Sequence, residues 1–67
     1  MRRYDSSTDR VYGCTIMYLT PAGRWVQVYE RTIAPTSEEA LALAEKIVRA
    51  DKRRVIQSIE YRKAYEQ

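Results

Sequence analysis

The stretch from Ala34 to Asp51, APTSEEALALAEKIVRAD, constrains this chain more than any other. It carries a full helix signature and stands between two segments with strand chemistry. Thr36 is placed as N-cap. Glu39, three residues on, completes a capping box, in which each side chain satisfies an orphan backbone N–H of the other residue. Glu38 and Glu39 put negative charge on the positive end of the helix dipole. At about 100° per residue, Ala40, Leu41, Leu43, Ala44, Ile47 and Val48 share one broad face. Glu38, Ala42, Glu45, Lys46 and Arg49 lie opposite. Ala40 and Ala44, near the middle of the stripe, permit close approach to a sheet. Arg49, Lys52 and Arg53 gather at the C-terminal end, where cations are favoured. So wide an apolar stripe needs a cover, and the flanking segments have to supply it.

Val11–Leu19 is rich in β-branched and aromatic residues, which predicts a strand. Thr20-Pro21-Ala22-Gly23 predicts a turn. Pro21 presets φ, and Gly23 can take positive φ in a bulge after a type I turn. Arg24–Ile33 is then the return strand. Pairing Thr20 with Arg24 sets Leu19 opposite Trp25, Tyr18 opposite Val26, Met17 opposite Gln27 and Ile16 opposite Val28. One face of the hairpin carries Cys14, Ile16, Tyr18, Val26 and Val28. The other carries Met17, Leu19, Trp25, Gln27 and Tyr29. The first face is compact and aliphatic, so it is expected to meet the helix. A slip of one residue would exchange the two.

Arg54–Tyr65 is expected to form the third strand. Val55, Ile59 and Tyr61 are assigned to the core, while Ile56, Ser58, Glu60 and Arg62 point away. Lys63–Gln67 is polar and expected to fray, although Tyr65 could extend the packing. The order is β-β-α-β. A right-handed crossover places the third strand beside the first, antiparallel to it. The expected fold is therefore α+β, a three-stranded antiparallel sheet of order 2-1-3 with one helix on one face. Residues 1–10 are expected to form an N-terminal arm and residues 11–67 a single domain.

Residue usage narrows the chemistry. There is no histidine, which removes histidine acid–base work, a Ser-His-Asp triad and histidine metal ligation. The one cysteine, Cys14, cannot form an internal disulfide or a Cys/His zinc site. It is most simply a small buried hydrophobe. Two glycines do not make a phosphate-cradling loop. Asp51 and Glu60 could meet near the helix–strand junction, but solvated carboxylates are the simpler account. No enzyme, no cofactor and no metal are expected. No apolar run approaches the roughly 18–20 residues that span a bilayer, so no membrane partner is expected. The N-terminal Arg2 and Arg3 lack a following apolar segment, and the unpaired cysteine suits a reducing, cytoplasmic setting. Twelve Lys and Arg against nine Asp and Glu give a net charge of +3, which permits an acidic partner without demanding one.

Two features could bind. The sheet face away from the helix carries Trp25, Tyr29, Met17 and Leu19, of residue types that dominate interfaces. Alternatively the N-terminal arm covers it. The second feature is the basic cluster Arg49, Lys52, Arg53 and Arg54, with Arg62 and Lys63 farther on. It is either a solvated helix end or a phosphate-contacting patch joined by Arg2, Arg3 and Arg10.

The entry Ile33-Ala34-Pro35-Thr36-Ser37, the helix residues Glu39-Ala40 and Ala44, and the exit Val55-Ile56-Gln57-Ser58-Ile59-Glu60 form a pattern over roughly the last half of the chain. It resembles small phage and mobile-element α+β proteins, including some anti-CRISPR proteins. The hairpin Tyr12–Tyr29 faintly resembles the arm-binding domains of tyrosine integrases, where three strands rather than two precede the helix. Neither resemblance carries over a functional residue. The first implies an inhibitor of a bacterial defence complex.

The resulting expectation is a non-enzymatic protein that occludes a surface of a larger protein or nucleoprotein. Its apolar anchors would be Trp25, Tyr29 and Met17, and its charged contacts Arg24, Arg31, Arg53 and Arg54. The alternative is direct nucleic-acid binding through Arg2, Arg3, Arg49, Lys52, Arg53 and Arg54. A homodimer through open faces or edge strands is a third expectation.

Overall fold

A computed structural model describes residues 8–67. The elements are β1 (Arg10–Leu19), β2 (Trp25–Ala34), α1 (Ser37–Ala50) and β3 (Ser58–Glu66). The sheet runs β2-β1-β3, and β1 is antiparallel to both neighbours. This is the expected β-β-α-β architecture. Arg2 and Arg3 lie outside the described residues. Within them, Asp9 is already buried and β1 begins at Arg10.

The hairpin register follows from its turn. The Thr20 N–H donates to the Arg24 carbonyl at 2.9 Å, and Gly23 N–H donates to the Thr20 carbonyl at 2.9 Å. Gly23 takes φ of 83°, a left-handed conformation that a Cβ would strain. Leu19 then faces Trp25, Met17 faces Gln27 and Ile16 faces Val28, as expected. The helix starts where its cap predicts. Thr36 is extended, and its hydroxyl accepts from Glu39 N–H at 3.2 Å. Such a cap is worth about 1 kcal/mol.

The core lies between helix and sheet. Tyr12, Cys14, Ile16 and Tyr18 of β1, Val28 and Ala34 of β2 and Ala40, Ala44 and Val48 of α1 are buried together. Ala40 and Ala44 are fully buried, as close approach to the sheet requires. Thr32 ties β2 to the helix by donating to the Ala40 carbonyl at 3.3 Å, and its hydroxyl lies 3.5 Å from the Cys14 thiol. Cys14 is the expected buried hydrophobe.

Two expectations need correction. The apolar stripe of α1 is wider than its buried strip: Leu43 and Ile47 remain 39% and 46% exposed. Three strands at about 4.8 Å spacing span little more than a helix diameter, so one flank of the stripe overhangs the sheet. Glu45 on the other flank bonds to Arg62 of β3, which places Leu43 and Ile47 on the β2 side.

The second correction concerns the third strand. It begins at Ser58, not Arg54; residues 54–57 are irregular, and the Gln57 N–H reaches the Leu19 carbonyl at 2.8 Å. Val55 is exposed, whereas Ile56 packs against the core with Ile59. Tyr61 does not join them. Met17 pairs with Tyr61 but Tyr18 pairs with Ile59, so Glu60 is an extra residue in β3. Such a bulge resets the alternation of faces. Tyr61 therefore lies beside Met17 on the open face, and Arg62 turns to the helix side.

Candidate binding face

The register assigns every residue of the open face. β1 contributes Val11, Gly13, Thr15, Met17 and Leu19; β2 contributes Trp25, Gln27, Tyr29, Arg31 and Ile33; β3 contributes Ser58, Tyr61, Lys63 and Tyr65. Trp25, Tyr29, Tyr61 and Tyr65 are each about half exposed, at 57%, 51%, 45% and 51%. With Ile33 they are five of the eight large exposed hydrophobic side chains among the described residues, and all five share this face. One helix cannot cover two sides of a sheet, and a domain ordinarily buries each apolar face it builds.

Tyr29 shows how the face is shaped. A Cβ placed on Gly13 would collide with the Tyr29 hydroxyl and come within 2.9 Å of its Cζ. The ring therefore lies across the glycine backbone instead of standing off the sheet. The Gln67 amide donates to its hydroxyl at 2.7 Å and holds it there. One side of the ring meets β1, leaving the other toward solvent. On the opposite strand, the Lys63 ammonium sits 4.9 Å from the centroid of Tyr65, within cation–π range.

Charge is distributed unevenly. Arg31 and Lys63 flank β1 at Gly13 and Thr15. No carboxylate occupies a paired position on this face. Glu30 pairs with Cys14 and Glu66 with Tyr12, both on the helix side. Glu60, at the bulge, accepts from the Ser58 hydroxyl.

The basic junction is organised differently. Asp51 accepts from Arg53 N–H at 3.0 Å and from its guanidinium at 3.2 Å. Arg54 lies 3.8 Å from the same carboxylate and also donates to the Val48 carbonyl at 3.5 Å. The side-chain bond from Arg53 is the main reason that the Asp51 carboxyl is held below its ordinary pKa. Arg53 and Arg54 thus finish the helix end. Arg10 pairs with Glu66 at 3.1 Å, and Arg62 with Glu45.

The site residues expected from sequence consequently divide. Trp25, Tyr29, Met17 and Arg31 share one face, with Arg24 just before β2. Arg53 and Arg54 belong to the helix–strand connection, with Arg49 and Lys52 beside them. Three residues of the face were missed. Tyr61 was assigned to the core, Lys63 to a fraying end and Tyr65 to an extension of packing. Their strand chemistry was visible; the bulge that orients them was not.

Among the described residues no group of His, Cys, Asp and Glu is placed to hold a metal ion. Nor is any described helix long and apolar enough to cross a membrane. The chain matches no protein-family model, and neither curated proteins nor solved structures show significant similarity to it.

Proposed function

We propose that this is a non-enzymatic binding protein whose working surface is the open face of the sheet, occluding a surface of a larger protein or nucleoprotein. One observation carries this: Trp25, Tyr29, Tyr61 and Tyr65 stand exposed together on the face that the helix leaves uncovered. Aromatic anchors with neighbouring arginine usually dominate the energy of an interface. Met17 lies between the two aromatic strands, while Arg31 and Lys63 add charge. Inhibition of a bacterial defence complex is the activity that the anti-CRISPR-like pattern suggests for such a surface, and it rests on that pattern alone.

The alternative, phosphate binding through the junction, has less support because Asp51 already engages Arg53 and Arg54. The test is the double variant Trp25→Ala/Tyr61→Ala. It should unfold in urea much as the parent does and lose partners captured by the parent from bacterial extract. Equal capture by both proteins would refute the open face as the working surface.

A further inference from the structure

We infer that the open face binds single-stranded nucleic acid, by stacking bases on its aromatic rings and pairing phosphates with Arg31 and Lys63. This deepens the proposed role of that face and rests on it. Three observations point to this occupant.

The first is ring presentation. A base offers a flat π surface, so its partner must offer one too. Tyr29 does so: Gly13 lets the ring lie down on β1, and Gln67 fixes its hydroxyl. A protein anchor residue more usually projects into a pocket. Trp25 and Tyr29 stand four residues apart on β2, as do Tyr61 and Tyr65 on β3, leaving β1 as the floor between two aromatic strands.

The second is charge. Both ionised side chains at paired positions on the face are cations, and they flank its middle. That suits a polyanion. Glu60, bonded to Ser58 opposite Leu19, stands at the end of the face, away from the Arg31–Lys63 middle.

The third is relief. Gly13 is buried beneath the Tyr29 ring and the Gln67 amide, so the low, accessible point of the central strand is Thr15, between Tyr29 and Lys63. A rigid duplex keeps its bases stacked inside and cannot offer them to such a floor, whereas an unpaired strand can.

Trp25 is the only tryptophan, so intrinsic fluorescence reports on this face directly. The experiment titrates the full chain at low salt with oligo-dT, oligo-rA, a duplex of mixed sequence, and inorganic polyphosphate as an anion without bases. Quenching by the single strands, with weaker binding of duplex and polyphosphate, is the expected result. Tyr65→Ala should weaken single-strand binding about 5- to 150-fold, the usual range for losing one stacked base. Lys63→Ala should reduce the slope of log K against log salt by about 0.7, one phosphate contact on a single strand. Circular dichroism confirms that both variants are folded.

Lack of quenching by any oligonucleotide overturns the inference, as does polyphosphate binding as tightly as oligo-dT. If the Trp25→Ala/Tyr61→Ala variant still loses its captured partner in that case, the open face remains the binding surface and its occupant is a protein. Oligonucleotide binding that is insensitive to Tyr65→Ala but abolished by Arg49→Ala/Lys52→Ala overturns the inference and moves nucleic-acid binding to the junction, while partner capture by the Trp25→Ala/Tyr61→Ala variant still decides the open face.

Discussion

The two faces of one sheet are built on different rules. The helix side carries Cys14, Ile16, Tyr18 and Val28 against Ala40, Ala44 and Val48, each nearly or wholly hidden from water. The open side, on the same three strands, carries four rings and two cations that stay in water. Small alanines let the helix sink onto the first face, while rings too large and too exposed for that role populate the second. A surface of this kind is apolar enough to gain by being covered and charged enough to choose what covers it. The fold needs only the first face, which leaves the second available for binding.

That contrast can be broken by mutation. Ile16→Ala should have the largest effect, about 2–5 kcal/mol for an emptied core position. A domain of this size has only about 3–10 kcal/mol in total, so urea unfolding should shift drastically or lose its cooperativity. Next is Ala44→Leu, which overfills the helix–sheet contact and should cost about 1–3 kcal/mol. Leu43→Ser, on the overhanging flank, should cost much less in the same measurement. Tyr61→Ala on the open face should cost under about 1 kcal/mol, the scale of a cross-strand pair. A loss as large as that of Ile16→Ala would show that Tyr61 is core, and the distinction between the faces would fail.

The smallest effect is expected at the junction. Asp51 has a folded pKa below its ordinary value of 3.8, chiefly through the Arg53 bond. A lowered pKa means that the contribution is complete above 3.8 and disappears as pH falls through the folded value. An acid titration followed by circular dichroism should therefore show a slight excess loss of stability below pH 3.8 that Asp51→Asn lacks.

Most of the fold was legible in the sequence because local signals there agree with one another. Thr36 with Glu39 marked the start of α1, and Pro21 with Gly23 set the turn that fixes the hairpin register. Half of the open face followed, since Leu19 opposite Trp25 decides where Met17 and Tyr29 point. The remainder depended on Glu60. Period-two alternation holds only while strands pair residue for residue, and an extra residue is a property of the pair, not of either strand alone. Ile59 and Tyr61, two positions apart, read as neighbours on one face and lie on opposite ones. Leu43 and Ile47 were placed on the apolar face that needs a cover, and they stay partly exposed for a related reason: periodicity gives the direction of a helix stripe but not the width of the sheet beneath it. Arg53 and Arg54 stayed open between a solvated helix end and a phosphate-contacting patch, because spacing alone does not reveal that both turn back to Asp51.

The position of β1 has a consequence for the order in which this protein can be made. As the first strand in the chain, it occupies the middle of the sheet, and its second neighbour is β3. On a ribosome, β1 and β2 emerge first and can close locally through the Thr20–Gly23 turn. The helix can then settle behind them. Until residues 58–66 have been synthesised, however, one edge of β1 displays backbone donors and acceptors with no strand to take them. Emergence of β3 through Glu66 thus ends a period of vulnerability, and slow decoding in the helix would lengthen it.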